Sequence, residues 1–333
     1  MGQLEVEQAA RPVSAWLSDP ATPAQLRAKL ARAQEIRDFA TARLQLPDNG
    51  SYRRYADLKR PAVVWNVFAA RPDSILPQTW CFPVAGCVPY RGYYNLAAAN
   101  ATARELEAEG LETYVGPVAA YSTLGWFDDP LLNTFIHAGD AELARLIFHE
   151  LAHQLLYVSG DAEFNEGFAS AVEAIGVAMW LEQPGDEAQK ALQKRQSEVA
   201  HRQRKAVQTL LLAQRERLRK LYAMGLAPAA REEEKARLVA ALRSDYQAVK
   251  TAEGFDRRYD AFFAGPLNNA QLASFAVYAR WEKAFERMYA EAGSLSGFYA
   301  KARQLAALDN TQRAAALMAL SGSSGPNPQQ SGS

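Results

Sequence analysis

Ile147-Phe-His149-Glu150-Leu-Ala-His153-Gln154 and, after it, Asn165-Glu166-Gly167-Phe168-Ala169 are the stretches that decide how the chain is read. Histidines at i and i+4 stand about one turn apart on one helix face, so their imidazoles can share one metal ion. Glu150, next to the first histidine, can reach water activated by that ion. The four histidines of the chain would produce such a pair, with Glu after the first, on the order of 1 time in 400 by chance. The expected ion is zinc (Zn2+), and a catalytic zinc needs a third protein ligand. Asp161, Glu163, Glu166 and Glu173 are the downstream candidates. Ser159-Gly160-Asp161 reads as the turn of an antiparallel helix pair, with His153 and Glu166 equally far from its centre. With a constant rise per residue the two lie at the same height, which favours Glu166. Glu173, about two turns further on a similar face, is expected either to orient a histidine or to be solvated.

Working outward, the metal segment reads as a helix over about 141–157, with Asp140 as N-cap, and its partner as a helix over about 162–182. Residues 3–46 read as two helices divided at Pro20 and Pro23. Val63–Phe68 and the Trp80–Tyr94 region, rich in β-branched and aromatic residues, predict short antiparallel strands. Thr113–Val118 and Ala120–Phe127 read as further strands, with Gly125 as a bulge, and Asn100–Glu109 as a helix. Residues 186–223 and 229–250 predict a charged helical hairpin, and helices are expected over about 268–291 and 295–320. The class is therefore α+β: mostly helical, with a small antiparallel sheet. The organisation expected is N-terminal helices (1–46), a main domain (47–320) with the hairpin as an insertion (about 186–250), and a low-complexity, disordered tail (321–333).

The chain has 333 residues, 49% of them hydrophobic, with 37 Lys+Arg against 37 Asp+Glu. So much apolar content excludes global disorder. A net charge of +0 speaks against nucleic acid as a partner. No apolar run is long enough to span a membrane. Cys81 and Cys87, with Pro83 and Gly86 between them to bend the chain, can form a disulfide in an oxidising compartment or remain two partly buried thiols. Residues 1–7 lack a basic start and an apolar run, so they read as a cytosolic start or as a mature N-terminus with an added Met.

His149-Glu-Leu-Ala-His153-Gln with Asn165-Glu166-Gly-Phe-Ala169 resembles the gluzincin metallopeptidases, in wording the alanyl- and leucyl-aminopeptidase type, although the connection from His153 to Glu166 is shorter here. Pro47–Tyr55, Trp65–Phe68, Cys81–Tyr94, Tyr121–Phe127 and Pro266–Ala270 extend the resemblance to a bacterial family of predicted aminopeptidases, often exported or lipid-anchored. The resemblance implies a thermolysin-like zinc peptidase core, with His149, His153 and Glu166 on the metal and Glu150 as general base. It also implies a location in the bacterial periplasm or cell envelope, with the signal or lipoprotein segment removed, and a peptide as the substrate.

The larger aminopeptidases hold the substrate amine with a G-x-M-E-N segment, which this sequence lacks. Glu163, or Asp128 and Asp129, could take that role, and Glu163 lies one turn from Glu166 on the same face. Tyr259 and Tyr278 are candidate oxyanion donors, each weighed against a place in the core. Tyr121 and Ser122 lie at the end of an expected strand, Tyr114–Ser122, that could bind an extended peptide by its backbone. His201 reads as a surface residue, and His137 as a loop residue that could face substrate or support a ligand. A different class also fits: an envelope protein that binds zinc without catalysis and captures a peptide or partner. Glu150 favours catalysis, because a structural zinc site has no use for it and usually has four protein ligands.

Overall fold

The computed structural model describes residues 2–82, 86–120, 122–276 and 281–322. The chain begins with α1 (Gly2–Ala9), β1 (Arg11–Pro12), α2 (Val13–Ser18) and α3 (Ala24–Ala42). The stretch 3–46 is thus cut once more than expected, at Pro12, whose fixed φ and missing N–H end one segment before Val13 starts the next. Then come β2 (Arg54–Ala56), β3 (Val64–Ala70), β4 (Trp80–Phe82), β5 (Gly86–Val88), β6 (Arg91–Tyr93), α4 (Leu96–Ala108), β7 (Glu112–Val118) and β8 (Leu131–Leu132). The remainder is helical: α5 (Asp140–Leu155), α6 (Ala162–Leu181), α7 (Glu187–Ala223), α8 (Pro228–Glu253), α9 (Asp260–Ala264), α10 (Asn269–Ala276), α11 (Glu282–Ala292), α12 (Leu295–Ala306) and α13 (Asn310–Ser321). The protein is mostly helical with small sheets, as an α+β reading requires.

The strands form three small sheets, in the orders β1-β2-β8, β6-β3-β7 and β4-β5. Their pairing is not wholly antiparallel. Tyr55 and Ala56 of β2 run parallel to Leu131 and Leu132 of β8. The expected strand Ala120–Phe127 is absent among its described residues. β7 ends at Val118, and Thr123 closes a turn by accepting from Phe127 N and donating to Phe127 O, both at 3.1 Å. Leu124 and Gly125 have φ of 56° and 82°, which a strand cannot contain. Gly125 is therefore a turn residue, not a bulge.

The expected helix over 268–291 is interrupted, with α11 starting after Trp281, and the one over 295–320 is split before Asp309, which caps α13 through Gln312 N. Gly139, not Asp140, is the N-cap residue of α5; Asp140 begins the helix and binds Lys29 and Arg32. Ser321 ends α13 and Gly322 caps it, while residues 323–333 lie outside the described residues.

One apolar core joins the N-terminal helices, the metal helices and the C-terminal helices through Leu30, Phe39, Phe148, Phe168, Phe285 and Phe298. Phe39 meets Phe148 at 5.9 Å between ring centroids, so the first helices are part of the wall behind the metal segment. A second cluster, with Val207, Leu211, Leu242, Tyr246 and Phe263, fills the α7–α8 hairpin. No helix among the described residues is long and apolar enough to cross a membrane.

Candidate metal centre

Helices α5 and α6 form the hairpin that carries the site, and the quoted motif holds its turn together. Asn165 is 2% exposed; its side chain accepts from Val158 N and donates to Val158 O, both at 2.8 Å. Asp161 caps α6 by accepting from Phe164 N at 3.0 Å and binds the buried Arg313 at 2.7 Å, so this candidate ligand is occupied elsewhere. Gly167 faces α11. A Cβ there would stand 3.0 Å from Trp281 Cβ and 3.1 Å from Phe285 Cε2. Gln154 anchors the end of α5: Asn49 Nδ2 donates to it at 2.8 Å, and it donates to Ser51 Oγ and Asp129 Oδ2 at 3.1 Å.

His149, His153 and Glu166 come together as a group able to hold a metal ion. The two Nε2 atoms are 3.2 Å apart; Glu166 Oε2 is 3.2 Å from Nε2 of His149, and Oε1 is 3.5 Å from Nε2 of His153. Two donors on a tetrahedral zinc with ordinary bond lengths stand about 3.3–3.6 Å apart, so the spacing suits such an ion. Glu166 Oε2 is buried, and its approach to His149 is not aligned as a hydrogen bond. A buried acceptor left this way is one a cation would satisfy. Behind the group, Nδ1 of His149 lies 3.0 Å from Glu173 Oε2, and Arg145 donates to Glu173 Oε1 at 2.8 Å.

Burial lowers the pKa of His149, but the Glu166 and Glu173 carboxylates outweigh it and hold it well above the usual histidine range. That is the local field a divalent cation would neutralise. Burial pushes His153 down to about 4, leaving a neutral imidazole. Glu166 also loses solvation, yet His153 and His149 keep it ionised and below the usual range. Glu150, half-buried between the histidines on α5, is pushed up to about 7 by burial, with Glu166, Asp129 and Glu173 adding to the effect against His149.

The sequence reading missed Tyr90. Burial raises its phenol to about 12, and the charges of Glu166 and Glu150 add to the shift, which puts the hydroxyl in the electrostatic reach of both. Its ring rests 5.7 Å from that of Phe68. Tyr90 follows the β4–β5 hairpin, where Cys81 and Cys87 face each other and are joined by a disulfide. Gly86 of that hairpin (φ 74°) is seated on the α5–α6 turn; a Cβ would stand 2.7 Å from Gly160 N. The disulfide hairpin therefore sits over the metal hairpin. In the sequence Tyr90 is marked only by its place three residues after Cys87; the contact of Gly86 with Gly160 is what brings this segment to the site.

A family model described as “Putative aminopeptidase” matches residues 1–317. The chain belongs to this family. No curated protein sequence and no solved structure matches it.

In this aminopeptidase-family chain the other sequence candidates are scattered. Glu163 is half-buried on the first turn of α6, one turn before Glu166. Tyr259 lines a cavity of 1210 Å³ that opens beside His149 and Glu173 and runs between α6 and α7. Burial raises the pKa of Tyr259, with the charges of Arg258 and Arg145 acting against the rise and those of Glu142 and Asp256 adding to it. His201, expected at the surface, lines the same cavity. His137 is exposed. Asp129 is 4% exposed and tied to Thr123 N and Gln154, while Asp128 packs against Gly50. Ser122 lies beyond the end of β7 and accepts from Leu124 N at 3.1 Å. Tyr121 and Tyr278 lie outside the described residues.

Proposed function

We propose that this protein is a zinc-dependent peptidase of gluzincin type, acting as an aminopeptidase in the bacterial envelope. The observation that carries the reading is the His149–His153–Glu166 group with Glu150 placed between the two histidines on one helix. Zinc held by Nε2 of His149, Nε2 of His153 and the Glu166 carboxylate would supply Lewis acidity at the scissile carbonyl and make water acidic enough to be deprotonated near neutral pH.

The chain's own residues divide the remaining work. Glu150 takes the proton of the attacking water as the carbon–oxygen bond forms, then gives it to the departing amine as the carbon–nitrogen bond breaks. Tyr90 keeps its proton at neutral pH, because burial and the nearby carboxylates hold its pKa at about 12. It can therefore donate a hydrogen bond to the developing oxyanion. Glu173 orients His149 through Nδ1, and Arg145 fixes Glu173 in turn. Glu163, one turn from Glu166, is the carboxylate assigned to the substrate's ammonium group. The disulfide on the hairpin over the site is compatible with an oxidising, extracytoplasmic location.

The test is hydrolysis of a mixed peptide library by zinc-loaded protein, by chelated protein, and by chelated protein resupplied with zinc. Cleavage that disappears with chelator and returns with zinc supports the reading. Cleavage indifferent to chelation, or no cleavage in any arm, rejects it.

A further inference from the structure

The cavity of 1210 Å³ between α6 and α7 exceeds the pocket of a small ligand, which measures about 300–1,000 Å³. Its inner end is the metal centre, because His149 and its partner Glu173 both line it. From there the cavity follows α6, where Ser170, Ala174, Val177, Ala178 and Leu181 make one wall. These residues recur at helical spacing and so form one face, which is apolar from Ala174 onward. Ala174 and Ala178 are exposed on it, although α7 runs opposite.

Helix α7 supplies the other wall. It turns back along α6, and Arg204 lies 3.9 Å from Glu173. Val199 stands five residues before Arg204 and Ala178 five after Glu173, so the two cavity residues come to about the same level. Gln208, one turn nearer the metal than Arg204, is half-buried in the cavity wall and bonds to no other described residue. A side-chain amide in this state offers both the donor and the acceptor that match a peptide group.

The order of residues along α6 gives the site a direction. Glu163, assigned above to the substrate's ammonium group, comes first, the metal ligand Glu166 next, and the cavity wall after both. A peptide with its amine at Glu163 and its scissile bond at the metal therefore continues toward Leu181. From Ser170 to Leu181 is about 16 Å of helix, which an extended chain of about five residues spans.

We propose that this cavity holds the part of the substrate beyond the cleaved bond, so that the protein acts on peptides of about six residues with apolar side chains in that part. The inference rests on the peptidase reading above and deepens it. A dipeptide would leave the apolar face in water, whereas each apolar side chain laid on it removes surface from water and strengthens binding.

The experiment measures kcat/KM of zinc-loaded native protein on alanine peptides of two to eight residues, and on a hexapeptide with glycine in its last three places. The alanine series is expected to rise on the order of 10- to 100-fold from the dipeptide to about the hexapeptide, through KM, and to stay level beyond it. The glycine-tailed hexapeptide should fall back toward the tripeptide. Ala178→Trp on one wall and Val199→Trp on the other fill the cavity at one level, and each should bring the ratio of hexapeptide to dipeptide close to one. A ratio of two rates on one sample does not depend on how much of a variant is folded. A flat series in the native protein, a rise that ends at the tripeptide, or a native ratio in either tryptophan variant would overturn the proposal and leave the peptidase reading intact. If no peptide is hydrolysed, the peptidase reading fails, and calorimetric binding of the alanine dipeptide and hexapeptide decides the point. Tighter binding of the hexapeptide that is lost in Ala178→Trp sustains the cavity as a peptide site, and equal or absent binding ends it.

Discussion

Glu173 Oε2 stands 3.0 Å from Nδ1 of His149, and the same carboxylate is held by Arg145 at 2.8 Å through its other oxygen. A carboxylate can only accept, so the proton between them belongs to Nδ1, and Nε2 is turned toward His153 and Glu166. Metal affinity should therefore depend on a residue that touches no metal. Glu173→Gln is expected to weaken zinc binding about 10- to 100-fold. Competition with a chromophoric chelator measures it, and native affinity in the variant would remove Glu173 from the account.

Gly167 of α6 faces Trp281 and Phe285 at the start of α11 with no room for a side chain. Gly167→Ala forces a methyl group to 3.0 Å from Trp281 Cβ, with Phe285 at 3.1 Å beside it. The helices must part, at a cost of about 1–3 kcal/mol. Denaturant unfolding should show a lower midpoint with an unchanged slope. A variant as stable as the native protein would mean that the contact relaxes freely.

Asp129 links the 123–129 turn to α5, and burial pushes its carboxyl up to about 6 from its ordinary 3.8. The folded protein thus keeps this proton at pH values where the unfolded chain has released it. The stability from this group is complete below about pH 4 and is lost as pH rises from about 4 to about 6. Two pH units correspond to about 3 kcal/mol at most. Asp129→Asn keeps an acceptor for Thr123 N without the charge, so its stability relative to native should rise across that window. Unfolding of both proteins in chelator, at several pH values, tests this, and parallel curves would contradict it.

The metal helices were legible because their cues are local. His149 and His153 share a face by helical period, Ser159-Gly160-Asp161 has turn chemistry, and equal spacing from the turn selects Glu166. The strand expected at Ala120–Phe127 failed because alternation there competes with stronger local bonds. The Thr123 hydroxyl closes onto Phe127, Asp129 captures Thr123 N, and Leu124 enters the left-handed region. Tyr90 was not legible as a site residue, because it comes within reach of Glu166 and Glu150 only through the contact of distant segments, Gly86 on Gly160.

In the proposed site one acid–base residue and three metal ligands share the α5–α6 hairpin, and substitution separates their roles. The most direct measurement is zinc content by elemental analysis alongside peptide hydrolysis, for native protein, Glu150→Gln and Glu166→Ala. The account predicts about one zinc per chain in the native protein and in Glu150→Gln, with hydrolysis lost in the latter because an amide cannot accept the proton. It predicts that Glu166→Ala loses most of its zinc. A Glu150→Gln protein that loses zinc, or a Glu166→Ala protein that keeps it in full, would contradict the assignment of the site.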